Sequence, residues 1–113
     1  MTKDELLKIV NEYYEKYQLP ELKVSDNEWD ALLSVLERYL PNNLKDAINI
    51  LLRRAFNTAL CNNGDYFTLY YIIVSLKDLE VFNLREEDIN NIKNEIMLES
   101  LKNGIKRERD MTK

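Results

Sequence analysis

An all-α fold, a compact bundle of about five helices with a central apolar helix near residues 66–80, is what this sequence predicts. Three observations carry that expectation. Apolar residues recur at three- and four-residue steps along most of the chain, the signature of a helix with one buried face. Capping residues or prolines bound each such stretch. Only one run has strand-favouring composition, and a lone strand would leave its backbone polar groups without partners.

The first helix starts at the capping box "TKDE", where Thr2 accepts from the backbone of Glu5 and Glu5 can reach back. Leu6, Val10, Tyr13 and Tyr17, flanked by Leu7 and Tyr14, form its apolar stripe. Pro20 then holds Leu19 extended and stops it. "VSDNEW" opens the second helix, with Ser25 and Glu28 as a capping box and Val24 and Trp29 as a hydrophobic staple. Trp29, Leu32, Leu33, Leu36, Tyr39 and Leu40 carry the period to Pro41. Asn42 or Asn43 caps the third helix. Leu44, Ala47, Ile48, Leu51, Leu52, Ala55, Phe56, Ala59 and Leu60 face inward on it, Lys45, Asn49, Arg53 and Asn57 outward, and Gly64 supplies the left-handed stop.

Asp65 is the expected cap of "YFTLYYIIVSLKDLE". Tyr, Phe, Thr, Ile and Val favour strands, yet this run does not alternate and has no second strand to pair with, so it is read as a core helix. Asn83, with Glu86 three residues on, is the expected cap of the last helix. Ile89, Ile92, Ile96 and Leu101 are expected to face inward there, and Gly104 to stop or weaken the helix. The pattern thus predicts one helical domain over residues 1–104 and a polar, basic, frayed tail over 105–113.

Length and composition limit the function. A chain of 113 residues suits a single core, and 45% hydrophobic with 32% charged residues is ordinary for a globular protein. The sole cysteine, Cys61, permits no intramolecular disulfide, which favours a reducing compartment. "MTKDELLKIV" lacks the apolar run of a leader, and the run at Tyr70–Val74 is far short of the roughly 20 residues that span a bilayer. A cytoplasmic location, without membrane association, is the expectation. Abundant Asn, Ile, Lys and Tyr fit an AT-rich genome, as in many viral and mobile-element proteins and also in proteins of AT-rich cellular genomes.

Catalysis is poorly supplied. Without histidine the most versatile general base is missing, and Cys61 lies near the carboxyl end of its helix, where the dipole disfavours a thiolate. It reads as a core or boundary thiol. The two glycines make no phosphate-binding loop. Asp26, Glu28 and Asp30 mimic the start of a calcium loop, but Ala31 stands where its glycine is required. These acids read instead as first-turn residues. The expectation is a protein without enzymatic activity, metal or cofactor.

What remains is binding. Tyr13, Tyr14 and Tyr17 on the first helix and Tyr70 and Tyr71 on the fourth offer rigid aromatic surface with polar tips, suited to a protein partner or to a homodimer. That favours an interaction module, an inhibitor or regulatory adaptor from a virus or mobile element. The alternative is a nucleic-acid-binding regulator using Arg53, Arg54, Lys102, Lys106, Arg107 and Arg109, with residues 26–60 as a helix-turn-helix pivoting at Pro41–Asn43. The net charge of −4 weighs against this, although five basic and two acidic residues follow position 101.

Overall fold

The computed structural model describes residues 1–18, 24–62 and 67–111, with side chains as far as Asn103. Among them are five α-helices and no strand: α1 (Lys3–Tyr17), α2 (Asp26–Tyr39), α3 (Leu44–Cys61), α4 (Leu69–Ser75) and α5 (Glu86–Met111), with a 3-10 segment (Leu76–Phe82) between the last two. The expected all-α bundle is therefore the fold. Leu19, Pro20, Gly64 and Asp65, read above as helix punctuation, lie outside the described residues.

The first two starts follow their capping signals. Glu5 N–H donates to Thr2 Oγ1 at 3.2 Å. At α2, Ser25 N–H donates to Glu28 Oε1 at 3.0 Å and Ser25 Oγ–H donates to the same oxygen at 2.8 Å. Val24 and Trp29, the two staple positions, are both buried in the core. Asp30 pairs with Lys3 at 3.5 Å, tying the start of α2 to α1. No group of three or more metal-ligating side chains stands together among the described residues.

The central element is α3 and not the 66–80 segment. Leu44, Ala47, Ile48, Leu51, Leu52, Ala55, Phe56 and Ala59 are all buried on it, and it packs against α1, α4 and the 3-10 segment. Alanines at 47, 55 and 59 are buried on this face among the larger side chains. Each large apolar side chain so buried contributes roughly 1.5–3 kcal/mol. Two terminal residues depart from expectation, since Leu60 is 47% exposed and Cys61, read as a core or boundary thiol, is exposed. Both fall at the end of the helix, past the elements that cover its middle.

The 66–80 segment is helical but divided. Thr68 is extended (φ −127°, ψ 165°), so α4 starts only at Leu69, and only Ile72 and Ser75 of its residues are buried. Ser75 Oγ–H donates back to the Tyr71 carbonyl at 2.8 Å. Such back-bonding loosens a helix, and the chain tightens there into the 3-10 form. Leu76 and Leu79 then enter the core, and Asn83 closes the segment in the left-handed region (φ 65°). Asn83 thus ends this segment and does not cap α5. Asparagine tolerates that conformation better than most side chains. Asp88 takes the capping role, accepting from Arg85 N–H at 2.9 Å.

At 26 residues α5 is the longest element, roughly 39 Å at 1.5 Å per residue. Its helical backbone continues through Gly104 to Met111, beyond the stop expected at that glycine. Ile89, Ile92 and Ile96 are buried, with α2 the main packing partner of the helix. Leu101, expected beside them, is 64% exposed. Beside and beyond Ile96 the contacts to α2 are polar: Asn27 Nδ2–H donates to the Ser100 carbonyl at 3.1 Å, and Arg38 pairs with Glu95 and Glu99 at 3.9 and 3.8 Å. No helix is long and apolar enough to cross a membrane among the described residues.

Candidate functional site

The two tyrosine groups, separate in sequence, are joined through two buried phenylalanines. Phe56 of α3 stacks on Phe67 with centroids 4.0 Å apart and planes within 8°. On one side Phe56 meets Tyr13 and Tyr17 face to face, both at 5.8 Å, and Tyr14 edge on at 5.5 Å. On the other, Phe67 reaches Tyr71 at 6.3 Å, and Tyr71 meets Tyr70 at 5.7 Å. The array runs from α1 through the core to α4. Its outermost ring, Tyr70, is 67% exposed. Tyr13, Tyr14, Tyr17 and Tyr71 are half-buried, so they serve the packing of the fold as well as its surface.

Polar groups sit along the seam between α1 and α3. Tyr13 O–H donates to the Asn49 carbonyl at 3.1 Å. Lys16 Nζ lies 5.7 Å from the Tyr17 ring centroid, within cation–π range. A depression of about 270 Å³ is lined by Tyr17, Ile50, Arg53, Arg54, Asn57 and Asp78. Another, of about 200 Å³, is lined by Glu12, Tyr13, Lys16 and Asn49. The side chains lining them are mixed in sign, and Arg54 is engaged by Asp78 at 3.7 Å.

The basic set does not assemble among the described residues. Arg53 and Arg54 face outward from α3, with Arg54 held to the 3-10 segment that precedes α5. Lys102 lies sixteen residues beyond the start of α5, roughly 24 Å along its axis. There α5 meets the start of α2, where Asn103 Nδ2–H donates to the Asn27 carbonyl at 3.4 Å. The side chains of Lys106, Arg107 and Arg109 lie outside the described residues. Far apart in sequence, Tyr17 and the Arg53–Arg54 pair are brought together by the fold. Linear spacing does not reveal Phe56 and Phe67 as the link between the tyrosine groups, because nothing in it shows that they touch.

Two phenols are shifted upward. Burial raises the Tyr13 pKa above the usual 10, opposed by the positive charge of Arg53. A hydrogen bond to Glu95, then burial, raises that of Tyr39. In both, the folded state retains the proton more tightly than the unfolded chain. Their contribution is therefore complete below pH 10 and is lost as pH rises through the folded-state values. Thermal melts between pH 8 and 11 should show stability declining above pH 10, with the decline reduced in a Tyr13→Phe, Tyr39→Phe variant. An unchanged slope in that variant would exclude these two phenols as its source.

No family model matches the chain, nor does any curated protein or solved structure, so a functional reading rests on the geometry of this site.

Proposed function

We propose that this protein is a non-enzymatic interaction module that binds another protein, as an inhibitor or adaptor, through the surface running from Tyr70 to the Tyr17–Arg53–Arg54 depression. The observation that carries the reading is Tyr70 itself. It is a large exposed ring at the end of an aromatic series anchored on the core. A side chain braced in this way loses little conformational freedom on binding, and tyrosine and arginine are the residues on which interface energy concentrates. The mixed charge of the depression, with Asp78 beside two arginines, suits a protein surface better than a phosphate backbone.

The test is quantitative affinity capture from the natural source, comparing the native chain with Tyr70→Ala, Arg53→Glu and, as a distant control, Glu37→Ala. A specific partner should be retained by the native chain and the control. Tyr70→Ala should weaken it by roughly tenfold or more, about 1.4 kcal/mol or above. Identical retained sets for all four proteins would discard the surface. Tyr70 is a better probe than Tyr13 or Tyr17, whose removal also disturbs packing on Phe56.

The nucleic-acid reading keeps one observation in its favour, the proximity of Tyr17 and Asn57 to Arg53 and Arg54. It predicts a complex with single-stranded oligonucleotide that weakens steeply with salt. Absence of a mobility shift at low salt would remove it.

A further inference from the structure

We propose that the depression between α1, α3 and the 3-10 segment takes a carboxylate side chain from an extended acidic segment of the protein partner, with Arg53 pairing its charge and Asn57 holding the adjacent main chain. The inference rests on the reading of that surface as protein-binding and names the chemistry of what enters it. The starting observation is an imbalance between two neighbouring arginines. Arg54 is engaged by Asp78 at 3.7 Å, whereas Arg53, lining the same depression of about 270 Å³, has no acidic partner among the described residues. Tyr17 and Ile50 also line that depression, so the guanidinium stands in a concave site rather than on open surface. Lys16, over the Tyr17 ring at 5.7 Å, likewise has no acidic partner among the described residues. The acids nearby do not cancel these charges. Asp78 is engaged by Arg54, and Glu12 lines the neighbouring depression but not this one.

Asn57 is the second observation. It lines the depression one turn beyond Arg53, and its amide makes no hydrogen bond to a described residue. Asn49, one turn before Arg53, is by contrast occupied, donating to the Lys45 carbonyl at 2.9 Å and accepting from Tyr13 O–H at 3.4 Å. Arg53 and Asn57 stand about 6 Å apart along α3, close to the length of two residues of extended chain at about 3.3 Å each. A carboxylate on Arg53 therefore brings main chain of the same segment to Asn57, whose amide both donates and accepts. The planar fork of arginine meets a carboxylate in two parallel hydrogen bonds. Phosphate suits the site less well, because a group carrying about two negative charges would lie beside Asp78. The net charge of −4 also opposes a polyanion more than a segment bearing one or two carboxylates.

The probe is a random dodecapeptide library displayed on phage, selected on the full chain and on its Arg53→Glu variant. Arg53 is exposed, so the variant should melt with the native chain. Peptides selected on the native chain should carry Asp or Glu at one fixed place, and the variant should select Lys or Arg there instead. A synthetic copy with that acid replaced by its amide should bind roughly three- to tenfold more weakly. Arg53→Gln should weaken the acidic peptide by the same factor and make it indifferent to the amide replacement, whereas Asn57→Ala should weaken both peptides alike. A native set without a fixed acid, or an acid still selected by Arg53→Glu, would overturn the proposal. So would a selection yielding no peptide that depends on Arg53, or tighter binding of the same peptide with phosphoserine in place of the acid. Loss of an acid-free set in Tyr70→Ala overturns this inference alone and leaves the interaction surface standing. A set indifferent to both Tyr70 and Arg53 overturns both.

Discussion

Phe56→Ala is expected to cost about 3–5 kcal/mol, a large share of the roughly 5–15 kcal/mol by which a domain of this kind is stable. Phe56 is fully buried on the central helix and contacts Tyr13, Tyr14, Tyr17 and Phe67. Removing it leaves a cavity bordered by four rings on two segments, α1 and the stretch that precedes α4, which cannot all close inward together. Truncation therefore loses both the transfer energy of the ring and the contacts its neighbours made. Phe56→Leu keeps most of the volume and should cost only about 1–2 kcal/mol. Urea titration of the three proteins measures the difference directly. On heating, the alanine variant should melt roughly 10–25 °C lower. A loss below about 1 kcal/mol would mean that the array is not the joint between α1, α3 and α4.

Ile96→Ala and Leu101→Ala should behave as opposites although they lie five residues apart on one helix. Ile96 is fully buried on the α2–α5 side, and its truncation should cost about 2–4 kcal/mol. Leu101 is mostly exposed, and its replacement by a strong helix former should stay within about 0.5 kcal/mol. Denaturation in dilute protein keeps any self-association out of the comparison. The reverse ranking would show α5 rotated by about half a turn, with Leu101 inside.

The contrast between these two positions shows where sequence reading stopped. Ile89, Ile92, Ile96 and Leu101 follow steps of three, four and five, close enough to a helical period to be grouped on one face. The step of five rotates Leu101 by about 140° from Ile96, a displacement that a list of apolar residues conceals. Met97 and Leu98, which share its side, were the available signal. Asn83 is a second case. Followed by Glu86, it resembles a cap, but its left-handed backbone ends the segment before it. One local pattern serves either end of a helix, and the neighbouring chain decides which.

The tyrosines mark the same boundary. Their abundance, and the helices that carry them, are evident from residue order alone. That Tyr17 shares a depression with Arg53 and Arg54, and that Tyr70 is braced through Phe67 and Phe56, are not.

Helix type, the starts of α1 and α2, and the inward face of α3 were determined by the sequence itself, because caps, prolines and the three-four rhythm act within a few residues. The division of the 66–80 segment, the centrality of α3, the outward turn of the α5 stripe and the joining of two aromatic groups were decided only by tertiary packing. Each depends on which surface of one helix another element happens to cover, and that is set by contacts between residues far apart in the chain.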